Sequence, residues 1–190
     1  MLKVTAIGGE PATGKSYIVK KIISENNLSD TFMWGKLVRG IKNDKISVLG
    51  IYGDSQDIFP GTDKLSMAVQ PEVIQYIKLE ATRNSLEHII FEGDRLFKSS
   101  LFEIIKNDVD FRIVVIKCDE EVKEQRHIKR KDEQNEKWLN SRKTAVNNIV
   151  NNYNHFLKLN NTEQEANEIA EFIMSGSNEG MTNLAQTTLF

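Results

Sequence analysis

The 190-residue chain has a single cysteine, Cys118. A disulfide framework within the chain and a cysteine-rich zinc site are both excluded. No apolar run approaches the roughly 20 residues of a membrane-spanning helix. The apolar start, residues 1–7, lacks the layout of a signal peptide. An excess of one charge is missing too: 25 Lys and Arg stand against 27 Asp and Glu, a net charge of −2. Whole-chain electrostatics therefore do not mark a nucleic-acid binder, and only a local basic face is left for that role. There is no internal repeat. What is present is a globular composition, 39% hydrophobic and 27% charged, which excludes a disordered chain. The expectation is one cytoplasmic domain, or one domain and a tail.

Residues 2–7 form a short apolar run before Gly8-Gly9 and predict a buried strand. A helix is predicted from Lys15, with Ile18, Ile22 and Ile23 on one face. Residues 32–38 and 46–51 predict strands. The loop at 52–67 is rich in Gly, Asp and Pro. Pro71 opens a helix to about Asn84, with Val73, Ile74, Ile77 and Ala81 periodic. Residues 88–91 predict a strand, and 99–107 a short helix with Leu101, Ile104 and Ile105 inward. The run Ile113-Val114-Val115-Ile116 marks a strand over 111–117. Charged helices are predicted at 119–131 and 136–152, and a last strand at 156–159. Thr162 with Glu165 forms a capping box for a helix to 174. From Ser175 the composition is that of a linker.

Strands alternating with helices predict a three-layer α/β fold, a parallel sheet with helices on both faces. Ligands then bind at the carboxyl ends of the strands. The expected division is a domain over 1–174, with a helical lid at about 119–145, and a flexible tail over 175–190.

Gly9-Glu10-Pro11-Ala12-Thr13-Gly14-Lys15-Ser16 matches G-x-x-x-x-G-K-[ST] between a strand and a helix. Curled backbone N–H groups and the helix N-terminus hold a β-phosphate there. Lys15 is expected to reach the β- and γ-phosphates, and Ser16 to bind Mg²⁺. A nucleoside triphosphate is the implied ligand. The Asn-Lys-x-Asp motif of a switch GTPase is missing, and an AAA-type motor needs a larger body. A small kinase fits the length.

Glu92 and Asp94 follow the strand at 88–91. An acid at that place is the usual second Mg²⁺ partner, assigned here to Glu92. Either acid could instead take the acceptor proton, or simply turn the chain with Gly93. Asp54, Asp57 and Asp63 lie in the long loop, and Asp63 in Gly61-Thr62-Asp63-Lys64 is the candidate general base. Lys123, Arg126, His127, Lys129, Arg130 and Lys131 cluster farther on. Arg126 and Arg130 are four apart and share a helix face, as a lid that clamps phosphates requires. Interleaved acids leave open a plainly solvated helix. His88, His127 and His155 have no metal-like spacing.

Three further stretches carry a resemblance. Gly50-Ile51-Tyr52, Gly61-Thr62-Asp63-Lys64-Leu65-Ser66-Met67-Ala68-Val69-Gln70-Pro71 and Glu92-Gly93-Asp94-Arg95-Leu96-Phe97 join the phosphate loop in a pattern that resembles small P-loop kinases common in bacteriophages. The stretches Arg126-His127-Ile128-Lys129-Arg130 and Trp138 to Thr144 are similar to the same group. The resemblance runs over about 1–174. It implies the fold of adenylate and thymidylate kinases, ATP and Mg²⁺ as cofactors, and Arg95 on the acceptor side. Some such kinases phosphorylate 5-hydroxymethylpyrimidines in DNA; the alternatives are a kinase of free deoxynucleotides and a nucleotide-binding switch. Lys64 stands where relatives often have arginine. Asn160-Asn161-Thr162 falls where related kinases contact the adenine. If phage-encoded, the enzyme works in the host cytoplasm.

The last five residues, Gln186-Thr187-Thr188-Leu189-Phe190, resemble the peptides by which replication proteins hold a DNA sliding clamp. Gln186 would bond one subsite, and Leu189 and Phe190 would fill an apolar pocket.

Overall fold

Strands buried on both faces organise the molecule. A computed structural model describes residues 1–53, 61–130 and 135–183. In it β1 (Lys3–Gly8), β4 (Ile46–Leu49), β5 (His88–Glu92) and β6 (Asp110–Lys117) are buried along almost their whole length. Such strands read as continuous apolar runs, which is why they stood out in the sequence. The helices between them are α1 (Lys15–Glu25), α2 (Gln70–Arg83), α3 (Ser99–Ile105), α4 (Glu120–Arg130), α5 (Glu136–Asn152) and α6 (Glu163–Ser175). The remaining strands are β2 (Asp30–Trp34), β3 (Val38–Lys42), β7 (His155–Leu159) and β8 (Met181–Thr182).

The described strands form one sheet in the order β2-β3-β4-β5-β1-β6-β7-β8. Its centre, β4-β5-β1-β6-β7, is parallel. The α/β expectation holds, with antiparallel strands added at both ends. Alternation along the strands feeds two cores. Val4, Ala6, Ile89, Phe91, Ile113 and Val115 face α2, α3 and α5. Ile7, Val48, Ile90, Val114 and Ile116 face α1 and α6. Helices thus cover both faces, and the strand ends Gly8, Leu49, Glu92 and Lys117 open toward one edge.

Several expected boundaries shift for physical reasons. Residues 32–38 are not one strand. Gly35 takes φ +62, and the Glu72 carboxylate on α2 accepts from the Lys36 and Leu37 N–H groups at 2.9 Å each, closing a β2–β3 hairpin. In α3 the inward aromatic is Phe102, fully buried, while Ile104 is 44% exposed. Phe102 packs against the rings of Phe97, Phe111 and Tyr153. Helix α5 carries the second half of the expected lid, exposed or half-buried as far as Ala145, and enters the core only beyond it, where Val146 and Ile149 are buried. Ordered structure also passes residue 174: β8 pairs with β7, and the Arg112 guanidinium, set between the Phe156 and Phe172 rings, donates to the Ser177 carbonyl. The capping box forms as expected, with Thr162 and Glu165 exchanging bonds. Asp54, Asp57 and Lys131 lie outside the described residues, as does the clamp-like peptide Gln186, Leu189 and Phe190. No described helix is long and apolar enough to cross a membrane.

The two α3 residues make a test. Phe102→Ala should cost about 3–5 kcal/mol, because it empties a packed aromatic site. Ile104→Ala should cost within about 1 kcal/mol, as an exposed position does. Urea unfolding of both variants measures the difference. Equal losses would mean that α3 is rotated relative to this description.

Candidate active site

The phosphate loop starts where β1 ends. Gly9 has φ +145, and a Cβ there would run into the Ile116 carbonyl oxygen on β6, so no other residue fits. Gly14 caps α1 in the left-handed region. Lys15 Nζ donates to the Gly9 and Glu10 carbonyl oxygens, both at 2.8 Å. Thr13 Oγ1 donates to the Glu10 carbonyl at 2.9 Å. From the end of β7, buried Asn160 donates through Nδ2 to the Thr13 carbonyl at 2.8 Å. The loop is therefore held in its anion-binding curl from both sides.

Register puts an acid beside it. β1 and β5 are parallel neighbours, with Ile7 opposite Glu92. Glu92 is 2% exposed. Its Oε1 accepts from Ser16 Oγ at 3.0 Å and from the Tyr52 hydroxyl at 3.4 Å. Burial pushes the Glu92 carboxyl up to about 7, with the nearby Asp63 charge adding and Lys15, Ser16 and Tyr52 opposing. Burial likewise holds the Tyr52 hydroxyl well above its usual range, with Glu92 adding. A buried carboxylate facing a loop hydroxyl is the ligand pair that a Mg²⁺–triphosphate takes up.

Asp63 comes to the same edge through a 3₁₀ turn, Thr62–Lys64. Thr62 Oγ1 donates to the Glu92 carbonyl oxygen, and the Asp94 N–H donates to the Asp63 carboxylate. Gly93, at φ +97, makes room for this: a Cβ would stand 2.7 Å from Thr62 Oγ1 and 3.3 Å from Asp63 Oδ1. Asp63 keeps an open outer surface, but the protein crowds its carboxyl. That crowding raises its pKa, and the Asp94 charge adds, against Lys15 and Arg95. Arg95 Nε donates to the Leu65 carbonyl at 3.3 Å. Asp94 is half-exposed and paired at 3.1 Å with Arg142 of α5.

Helix α4 borders the loop on its other side. Lys123 bridges Glu10 of the loop at 2.8 Å and Glu120 at 2.7 Å. Arg126 Nη1 donates to the Ala12 carbonyl at 3.3 Å. Between α4 and α6 lies a cleft of about 330 Å³, lined by Gly14, Tyr17, Arg126, Asn160, Asn161 and Thr162. Pro11 faces a second cleft under α4 and α5. Arg130 lies in α4, and its side chain is outside the described residues.

So Lys15, Ser16, Glu92, Asp63, Asp94 and Arg95 meet at one edge, and Arg126 meets the loop from the other. Among the described residues, no group of three or more His, Cys, Asp or Glu could hold a metal unaided. Sequence reasoning passed over Tyr52, Thr62, Lys123 and Arg142 as site residues. Tyr52 and Thr62 stand inside the family-like stretches, so a signal existed for them. Nothing local marks Arg142 as the partner of Asp94.

No protein-family model matches the chain, and no curated protein matches it. Among solved structures, an unliganded sugar kinase from Janibacter sp. HTCC2649 aligns with TM-score 0.55 at 11% identity, over 96% of this chain and 100% of that one. A gluconokinase from Sinorhizobium meliloti 1021 has TM-score 0.47 at 12% identity, over 93% and 98%. A shikimate kinase from Bacteroides thetaiotaomicron has 0.46 at 8%, over 92% and 97%. The first alignment, together with the sheet order and phosphate loop, shows that the fold is that of P-loop kinases.

The raised Glu92 carboxyl has a stability signature. A folded pKa near 7 against an ordinary 4.5 means that folding favours the protonated acid. Its stabilising effect is fully present below about pH 4.5 and is lost as pH rises through 7. The loss is up to roughly 3 kcal/mol. Urea unfolding without nucleotide or Mg²⁺ should therefore show wild type losing more stability than Glu92→Gln between pH 5 and 8. Identical losses would mean that Glu92 ionises normally.

Proposed function

We propose that the protein is an ATP-dependent kinase that phosphorylates a hydroxyl on a pyrimidine-type acceptor, a 5-hydroxymethylated base in DNA. The observation that carries this reading is the meeting of Lys15, Ser16, Glu92 and Asp63 at the end of β1 and β5. A phosphate loop alone says only that a nucleotide binds. A crowded carboxyl facing it, with a raised pKa, supplies a proton acceptor on the other side of the transferred group. The acceptor class rests on the family-like stretches: Gly61-Thr62-Asp63 and Glu92-Gly93-Asp94-Arg95 touch each other across Gly93.

The chemistry follows from these groups. The cleft at Tyr17, Asn160 and Thr162 takes the adenosine. The loop N–H groups and Lys15 take the β- and γ-phosphates, with Lys15 released from the loop carbonyls it now holds. Ser16 and Glu92 are the residues that would hold a Mg²⁺. When bound, it neutralises charge on those phosphates. The acceptor oxygen attacks the γ-phosphorus, the bond to the β–γ bridging oxygen breaks, and ADP leaves. The hydroxyl proton passes to Asp63, with Asp94 and Arg95 at its side. Arg126 and Arg130 clamp the transferring phosphates from the lid. The same reading places the enzyme in the cytoplasm, the host's if phage-encoded, tethered to a sliding clamp by Gln186, Leu189 and Phe190.

The test is transfer of labelled γ-phosphate to hydroxymethylated DNA, ordinary DNA and free deoxynucleoside monophosphates. Transfer to the first alone is expected. Transfer only to free nucleotides would make the protein a nucleotide kinase, and transfer to none would leave a binding switch. Lys15→Ala should lower the rate by on the order of 3 kcal/mol, about a hundredfold or more, while the fold stays intact. Asp63→Asn should lower kcat with ATP affinity retained. Near-normal turnover in Lys15→Ala would overturn the kinase reading.

A further inference from the structure

A chain of net charge −2 that modifies a polyanion needs a local surface to hold it. The β2–β3 hairpin has that character. From Asp30 to Lys42 it carries three cations, Lys36, Arg39 and Lys42, against one acid, Asp30, which pairs with Lys42 on the opposite face from Arg39. It lies at the sheet edge beyond β4, with α2 against one face. Its turn is pinned to α2 by the two bonds to Glu72, and Phe32 and Trp34 both lie against Tyr76 of α2. The hairpin is therefore a rigid platform.

Its two faces differ. Phe32 and Gly40 are paired and face the α2 core, and Lys42 covers the Phe32 ring at 5.6 Å on that side. Thr31 pairs with Ile41 and Met33 with Arg39 on the other face. That face borders a cavity of about 460 Å³, closed at its far side by Ile51, Tyr52 and Gly53. Met33 is 62% exposed, and Arg39 is exposed, its guanidinium making no hydrogen bond or ion pair to any described residue. Tyr52 links the cavity to the reaction centre, because its hydroxyl reaches Glu92. A base seated on Met33 and Ile41 would have its backbone phosphate at Arg39 and its edge toward Tyr52.

We infer that the Arg39 face of the β2–β3 hairpin binds a single-stranded stretch of the acceptor DNA and feeds a nucleotide toward Glu92 and Asp63. The inference rests on the DNA-acceptor reading above and adds the surface that delivers the strand. A guanidinium supplies phosphate contact, and the neighbouring apolar side chains supply sequence-tolerant contact with base faces.

The test is fluorescence anisotropy of a labelled single-stranded DNA of about 12 nucleotides, without ATP, over a range of salt. Wild type should bind with salt-dependent affinity. Arg39→Glu should weaken binding by about tenfold and flatten the salt dependence by about one phosphate contact. Lys42→Glu makes the same charge change on the opposite face and should weaken binding by less than about threefold. Both variants should bind ATP as wild type does, which shows that each is folded. Equal loss in the two variants, no loss in Arg39→Glu, or no binding by wild type would overturn the surface. Transfer is scored separately. If Arg39→Glu phosphorylates hydroxymethylated DNA as well as wild type, the surface falls and the kinase reading stands. Lys15→Ala should lose transfer yet bind the strand normally.

Discussion

A carboxylate taken out of water must be compensated, and Glu92 is the place where this chain meets that requirement. It ends a fully buried strand and is itself almost fully buried. The bonds from Ser16 and Tyr52 and the charge of Lys15 offset only part of the burial, so the acid sits near neutrality. Those partners come from two segments, and the carboxyl's own backbone reaches a third. Lys15 and Ser16 begin α1, Tyr52 follows β4, and the Glu92 carbonyl holds Thr62 of the 3₁₀ turn. The acid therefore joins the nucleotide side to the acceptor side, and its demand for partners explains why both converge there.

Around it, the cations of α4 and α5 hold the protein's own oxygens. Lys123 is on Glu10, Arg126 on the Ala12 carbonyl, and Arg142 on Asp94. Lys15 does the same with two loop carbonyls. A triphosphate offers stronger acceptors than neutral carbonyls, since charge-assisted bonds are roughly twice as strong. Its binding would exchange partners and would not strip bare charges. Exchange of this kind costs less reorganisation than creating a site from solvated side chains. Half-exposed pairs such as Arg142 with Asp94 are weak enough to yield.

How much of this could be read from the sequence depended on the range of the interactions. The phosphate loop is local, and its spacing carried Lys15 and Ser16 outright. Glu92 was readable because a strand end beside such a loop is a place for chemistry. Asp63 was readable through its Gly-Thr turn. The β2–β3 hairpin was not, because its turn is closed by Glu72, 35 residues beyond Leu37. In α3, seven residues are too few for a periodic pattern to choose between Phe102 and Ile104. β8 has two residues, and its place depends on the edge of β7 and on Arg112. The ion pair of Arg142 with Asp94 joins elements that only the tertiary fold brings together.

The arrangement also bears on how such a chain tolerates a polyanion. Acidic side chains dominate slightly, yet two beside the phosphate loop and Asp63 are spoken for: Glu10 by Lys123 and Asp94 by Arg142. Burial raises the Glu92 carboxyl to about 7, so it carries less negative charge than an exposed carboxylate. Asp63 is the acid left with an open surface at the centre. The phosphates of nucleotide and acceptor would therefore meet less negative potential than the composition suggests. Whole-chain charge averages over neutralised and free groups alike, whereas a phosphate responds within a Debye length of about 8–10 Å. At that range Lys15 and Arg126 on the loop, and Arg39 on the hairpin, outweigh a net charge spread over the whole surface.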